Sequence, residues 1–152
     1  MYNLFKFLHI AAAIVWIGSG VGFVTLTAIM VKAGDNAGAM SVGRHAETMG
    51  SRLFGPAAMS TLLFGIITVV VSDGAWQFSD AWIVIGFVGV ALSIVLVTQR
   101  RPAGNAISAA VAEHGPTSPQ VAAATGRVRL LNLIDMVILF AVVAAMVFKP
   151  GA

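Results

Sequence analysis

The sequence predicts an all-α integral membrane protein, folded as a four-helix bundle. Of its 152 residues, 59% are hydrophobic and only 10% are charged, whereas a soluble domain carries about 25% charged residues. Crossing about 30 Å of hydrocarbon takes about 20 helical residues. Four apolar runs reach this length, namely Leu4–Val31, Leu53–Val71, Ala81–Thr98 and Leu130–Phe148. Backbone N–H and C=O groups in lipid must form their hydrogen bonds within the chain, so each run is predicted to be a helix. The four helices are predicted to form one domain, residues 1–152.

The charges of the connections predict how these spans are oriented. The first and third connections, with their flanks, carry Lys32, Arg44, Arg52, Arg100, Arg101, Arg127 and Arg129. The second connection, residues 72–80, contains Asp73 and Asp80 but no Lys or Arg. The positive-inside rule therefore places the first and third connections in the cytoplasm and both termini on the outer side. The net charge of +3 comes from basic residues in connections beside apolar runs, where they are topology signals. It therefore does not indicate a nucleic-acid partner, and the lipid bilayer is the expected partner.

The connections themselves contain helix and turn signals. Residues 39–52 lack proline and are predicted to continue as a helix into the second span, with a bend at Pro56. Pro102 is expected to end or kink the third span. Residues 115–119 form a predicted turn, in which Ser118 caps a new helix and Pro119 takes its first position. Pro150 and Gly151 are expected to end the fourth span.

His9 is a histidine inside the first span, about 8 Å below the outer surface at about 1.5 Å per residue. Helical spacing places Trp16 on the same face. An imidazole is costly in lipid, so His9 should face the protein interior or a cavity. One interpretation is an axial ligand to haem or another metal, or a proton relay. The other is a histidine that is hydrogen-bonded to a neighbouring helix or to water.

Methionine is the candidate for a second haem ligand, because no other histidine lies within a span. Residue counting places Met146 at nearly the depth of His9, and Met59 about 10 Å deeper. Met146 is therefore the better candidate, although a methionine in an apolar helix is more often a packing residue. Two alternatives to Met146 remain equally open, namely a five-coordinate haem and a second ligand from another protomer.

Arg52, Asn132 and Asp135 are polar residues near the cytoplasmic ends of the second and fourth spans. They are interpreted as a structural group in which Arg52 and Asp135 pair, or as a proton or substrate path from the cytoplasm. The connections contain no convergent acid, base and nucleophile, so no catalytic residue is assigned and enzymatic activity stays open. The Gly18-x-x-x-Gly22 spacing permits close helix contact, within the bundle or in a homodimer or larger membrane complex.

Three segments together resemble a group of small bacterial membrane proteins. These are FKFLHIAAAIVWIGSG in the first span, SRLFGPAAMSTLLFGI at the second, and RVRLLNLIDMVILFAVVAAMVFKP at the end. The group includes HemJ-type protoporphyrinogen oxidases, the copper-resistance D domain and an uncharacterised family of predicted integral membrane proteins. HemJ-type enzymes usually carry a lysine in the third helix and a glutamate after the asparagine of the last. This sequence has neither, since Leu133 follows Asn132, and so it fits the uncharacterised family best.

The resemblance implies a four-helix bundle in the bacterial inner membrane, with His9 as a b-type haem ligand. The first functional hypothesis is therefore a haem-binding or redox membrane protein, in which His9 lies in an outward-facing pocket closed by Trp16, Trp82 and Met146. The second is a non-enzymatic structural or accessory subunit, in which His9 and Asp135 only fix helix packing. The third is a metal-handling or small transporter protein similar to the copper-resistance D domain.

Overall fold

The computed structural model describes residues 1–115 and 118–151, and every regular element within these ranges is helical. The elements are α1 (Tyr2–Lys32), α2 (Asn36–Arg44), α3 (Ala46–Met49), a π-helical segment (Gly50–Phe54), α4 (Gly55–Val70), α5 (Ala81–His114) and α6 (Pro119–Phe148). The prediction of an all-α fold is confirmed. The chain divides into two compact units, Met1–Gln77 (unit 1) and Phe78–Ala152 (unit 2).

Within the described residues, four helical stretches are long and apolar enough to cross a membrane, namely α1, residues 50–70, α5 and α6. Helices α1, α5 and α6 contain 31, 34 and 30 residues, so each is about 45–50 Å long and exceeds the hydrocarbon thickness. Large apolar side chains such as Ile14, Leu63 and Val95 are 55–66% exposed. Exposed apolar faces of this extent are a liability in water but are expected where lipid is the solvent. The four predicted spans are thus present as helices.

Unit 1 is built on the pairing of α1 with α4. The chain reverses after α1 at Gly34, whose φ of +80° favours glycine. Asp35 then caps α2, because its carboxylate accepts a hydrogen bond from the Gly38 N–H at 2.8 Å. Phe23 of α1 packs edge-to-face on Phe54, with ring centroids 6.3 Å apart. The connecting segment therefore returns along α1 and leads into the second span.

The π-helical segment is the structural result of Pro56. Proline has no N–H to give to the carbonyl of Arg52, and its ring also crowds that carbonyl. The preceding turn widens, so the Gly55 N–H bonds to the Gly50 carbonyl, five residues back. The predicted helical continuation into the second span is confirmed, apart from a break between α2 and α3 at His45.

Unit 2 is a hairpin of α5 and α6. Glycines on α5 let the helices approach closely, because a Cβ at Gly89 would overlap the Val142 side chain and one at Gly86 would overlap the end of Met146. Of the two outcomes predicted at Pro102, an end of the helix is wrong, since α5 continues to His114, and a kink stays a prediction. Pro102 is exposed and lies beyond the apolar run. Water can therefore bind the carbonyl that the proline leaves free, and the helix tolerates the loss.

The predicted turn between α5 and α6 is confirmed at its described residues. Gly115 ends α5 with φ +81°, and the Ser118 hydroxyl accepts a hydrogen bond from the Val121 N–H at 3.4 Å. Pro119 is the first residue of α6. Residues 116 and 117, which the sequence also assigns to this turn, lie outside the described residues. Helix α6 ends at Phe148, as the following Pro150 predicts.

Candidate functional site

His9 is the polar residue around which the two long helices of unit 1 are packed. Its Nδ1 lies 2.7 Å from the backbone carbonyl oxygen of Thr61 on α4. A carbonyl oxygen only accepts, so Nδ1 must donate and carry the ring proton. The imidazole is half-buried. In the neutral ring, Nε2 is therefore left with its lone pair, and it is the atom available to a further ligand.

Gly65 makes room for this imidazole on α4. A Cβ at Gly65 would lie 2.9 Å from His9 Nδ1 and 3.0 Å from His9 Cε1, tighter than real side-chain contacts. Gly65 follows Thr61 by four residues and so lies one turn along the same face. The ring therefore lies directly against the α4 backbone, and a larger residue at this position would displace it.

Thr61 fixes the other half of the contact. Its side chain is buried, and its hydroxyl donates to the Ala57 carbonyl at 2.8 Å within the same helix. That internal bond satisfies the hydroxyl without using His9, as is common for threonine in membrane helices. The Thr61 carbonyl is thus held by a well-packed turn and sets the orientation of the imidazole.

The arrangement at His9 has the chemistry of an axial ligand. Histidines that bind metals usually donate their other ring N–H to a carbonyl or carboxylate, which fixes the tautomer and ring orientation. His9 makes this bond through Nδ1 and leaves Nε2 free to coordinate. The donor set at His9 therefore fits one axial position of a haem iron. The same hydrogen bond also ties α1 to α4, so it serves the structural interpretation equally.

The family of the chain follows from its match over almost the whole of this fold. The family model described as "Predicted integral membrane protein (DUF2269)" matches residues 3–150, which cover nearly all of both units. The chain belongs to this family. No curated protein and no solved structure matches it.

The second polar cluster of this DUF2269 protein lies in unit 2, around Asp135 of α6. Asp135 is 6% exposed, and Ser93 of α5, which is 1% exposed, donates its hydroxyl to Asp135 Oδ1 at 2.6 Å. Arg100 of α5 forms an ion pair with Asp135 through Nη2 and Oδ2. Both carboxylate oxygens therefore have a donor, as a buried charge requires.

The sequence did not indicate that Arg100 belongs to the Asp135 cluster. A basic residue after an apolar run is typical of a topology signal, and Arg100 was interpreted in that way. Helical side chains lean toward the N-terminus of their own helix. Arg100 therefore leans back into the span, and Asp135, on the antiparallel α6, leans toward Arg100. The seven-residue separation of Ser93 and Arg100, two helical turns, was the available signal that both lie on the face toward α6.

The other predicted site residues are placed as follows. Trp16 is half-buried on α1 of unit 1, and Met146 is half-buried on α6 of unit 2, where it packs near Gly86. Arg52 is exposed in the π-helical segment, and Asn132 is half-buried one turn before Asp135. The pairing of Arg52 with Asp135, and of His9 with Met146, would each join the two units, and both stay predictions.

Cavities of this family member occur in unit 1, and His9 is not among the residues that line the two described next. One, of about 330 Å³, is lined by Tyr2, Val71, Ser72, Asp73, Ala75 and Trp76. The other, of about 440 Å³, lies between α1 and the α2–α3 segment and includes Phe23, Val42 and His45 in its lining. Among the described residues, no three His, Cys, Asp or Glu side chains come together as a protein-only metal site.

Proposed function

We propose that the protein binds b-type haem through Nε2 of His9 and has a redox or haem-related role in the membrane. The observation that carries the proposal is the hydrogen bond from His9 Nδ1 to the Thr61 carbonyl, which leaves Nε2 as the free donor atom. The resemblance of the first span to haem-associated membrane proteins supports the same assignment. A bound haem would supply one-electron redox chemistry.

The residues of the chain have separate tasks in this proposal. Thr61 orients the imidazole and holds the proton on Nδ1, while Gly65 leaves space for the ring. Trp16, two turns from His9 on α1, would cover a flat group beside the histidine. Met146 is the proposed second ligand, with a five-coordinate haem as the alternative arrangement.

The test separates the ligand atom from the helix contact. In His9→Asn, the side-chain amide can still donate to the Thr61 carbonyl, but no imidazole Nε2 remains. The purified protein, supplied with haem, should show a Soret band that is lost or shifted in both His9→Asn and His9→Ala. His9→Asn should keep most of the thermal stability that His9→Ala loses. A wild-type protein that stays colourless with haem would refute the proposal.

The second candidate function is a structural or accessory membrane subunit without enzymatic activity. It is favoured by the fact that His9 and Asp135 each bond to a neighbouring helix of their own unit. In this case His9→Asn would assemble and function as the wild type does, and a partner would co-purify with both. Metal handling, as in the copper-resistance D domain, is a third candidate that rests on the sequence resemblance alone.

The proposed location is the bacterial inner membrane, with both termini and the connection of residues 72–80 on the outer side. The charge asymmetry of the connections supports this orientation. Because the chain has no cysteine, single ones can be introduced at the exposed Ala75 and Ala112. A membrane-impermeant maleimide on intact cells should label Ala75→Cys and not Ala112→Cys. The reverse labelling would invert the proposed topology.

A homodimer or larger membrane complex is part of the proposal. Gly18 and Gly22 are exposed on α1, and a Cβ at either would meet nothing within 4 Å. Packing among the described residues therefore does not account for these two glycines, whereas a neighbouring helix would. Gly18→Leu should shift the oligomeric mass measured in detergent toward the monomer, and an unchanged mass would count against this contact.

A further inference from the structure

The cavity of about 330 Å³ at the outer end of unit 1 combines a carboxylate with two aromatic side chains. Its lining includes Asp73, Tyr2 and Trp76. It lies where α1 begins and α4 has just ended, so its position along the helices is that of a membrane–water boundary. Neither the proposed haem site nor the Asp135 cluster uses any of these residues.

The cavity is held in shape by a tight turn. The Ala75 N–H bonds to the Ser72 carbonyl at 3.0 Å, and Asp73 and Gly74 have φ of +53° and +82°, as in a type I′ turn. The buried Ser72 hydroxyl donates to the Val69 carbonyl at 2.8 Å and accepts from the Trp76 N–H at 3.1 Å. Asp73 is therefore fixed at the tip of the turn with its carboxylate exposed.

The two aromatic side chains that line the cavity, Tyr2 and Trp76, are also held in place. The indole N–H of Trp76 donates to the Tyr2 hydroxyl at 3.0 Å, which joins the start of α1 to the turn. Aromatic faces and a carboxylate are the groups that recognise an ammonium ion. Lys6 Nζ lies 5.3 Å from the centroid of the Tyr2 ring, so a positive charge stands beside the cavity that contains Asp73.

We propose that this cavity binds the headgroup of a zwitterionic phospholipid with a primary ammonium, of the phosphatidylethanolamine type. The ammonium binds Asp73 beside the ring of Trp76, and the adjacent phosphate lies next to Lys6, whose ammonium lies over the ring of Tyr2. The two opposite charges of the site match the two charges of such a headgroup. A lipid is favoured over a free amine because the cavity borders the apolar ends of two membrane-length helices.

The experiment measures lipid binding to the delipidated full chain in detergent by native mass spectrometry. Phosphatidylethanolamine and phosphatidylglycerol of identical acyl chains are titrated against the wild type, Asp73→Asn and Asp80→Asn. Asparagine tolerates positive φ, so Asp73→Asn keeps the turn. Asp80→Asn removes the same charge from the same connection but not from the cavity.

The wild type should prefer phosphatidylethanolamine, and Asp73→Asn should lose about tenfold in affinity for it, the value of one charge-assisted hydrogen bond. Asp80→Asn should bind as the wild type does, and Trp76→Phe should show a smaller loss than Asp73→Asn. Equal binding of the two lipids by the wild type overturns the proposal, as do equal losses in the two Asp variants. Saturation by free ethanolamine at the lipid's own concentration overturns the assignment to a lipid.

Discussion

The ion pair between Arg100 and Asp135 should contribute asymmetrically to the stability of the α5–α6 hairpin. The Asp135 side chain is 9% exposed, whereas that of Arg100 is 30% exposed. Arg100→Gln removes the positive charge beside the buried carboxylate and keeps the neutral hydroxyl of Ser93 as its donor. Removing one partner of a buried pair costs about 3–5 kcal/mol. Because Arg100 is partly solvated, the lower end applies, so we expect Arg100→Gln to cost about 3 kcal/mol.

Substitution of the other partner, Asp135, should lower the free energy of unfolding by less. In Asp135→Asn, the guanidinium of Arg100 can extend along its flexible stem to the water at the end of the span. The asparagine can still accept the Ser93 hydroxyl, so the loss should be about 1 kcal/mol, typical of one hydrogen bond. The double variant removes both charges and should cost about 2 kcal/mol. The cycle then gives a coupling energy of about 2 kcal/mol.

The assay is unfolding of the purified protein in mixed micelles, followed by far-ultraviolet circular dichroism as denaturing detergent increases. Arg129→Gln is the matched control, because Arg129 is exposed on α6 and its loss should stay within about 0.5 kcal/mol. A coupling energy below about 0.5 kcal/mol would refute the reasoning. So would a larger cost for Asp135→Asn than for Arg100→Gln, since the asymmetry follows from the exposures.

The further predictions concern three glycines at close contacts and the serine that caps α6. Gly65→Ala should lower the midpoint of thermal unfolding by displacing the His9 ring, whereas Gly20→Ala, with nothing within 4 Å of its Cβ, should not. Gly89→Ala should destabilise unit 2 by about 1–3 kcal/mol through overpacking, measured by the same unfolding titration. Gly86→Ala should cost less, because its Cβ would meet only the flexible end of a methionine side chain. Ser118→Ala should cost about 1 kcal/mol through loss of the α6 cap, with a faster hydrogen exchange in the first turn.

The membrane-length helices were predictable from sequence because hydropathy and length are properties of about 20 residues together. A single atypical residue therefore does not change the prediction. The cap at Ser118 was also predictable, since a capping serine followed by proline is a local signal. The sequence could not decide whether the helix ends at Pro102, because a proline inside a helix and one at its end share the same local sequence. Which case applies depends on whether water or another group satisfies the freed carbonyl, and that depends on the surroundings.

The partners of the polar residues were harder to predict. The partner of His9 is a backbone carbonyl, and every residue has one, so composition gives no hint that Thr61 is the acceptor. The absence of a side chain at Gly65 was the weak signal of a close approach. Arg100 was overlooked for a different reason, because a charged residue past the end of an apolar run also fits the positive-inside pattern.

Each unit satisfies its own intramembrane polar group between its own two long helices. His9 bonds across α1 and α4, while Asp135 bonds across α5 and α6. An unsatisfied polar group in hydrocarbon costs several kcal/mol, so either helix pair is better accommodated together than as separate helices. The two groups differ in what remains after this pairing. Both oxygens of Asp135 accept from a donor, whereas only Nδ1 of His9 is used in the bond to Thr61, and for that reason we propose ligand chemistry for His9 and helix locking for Asp135.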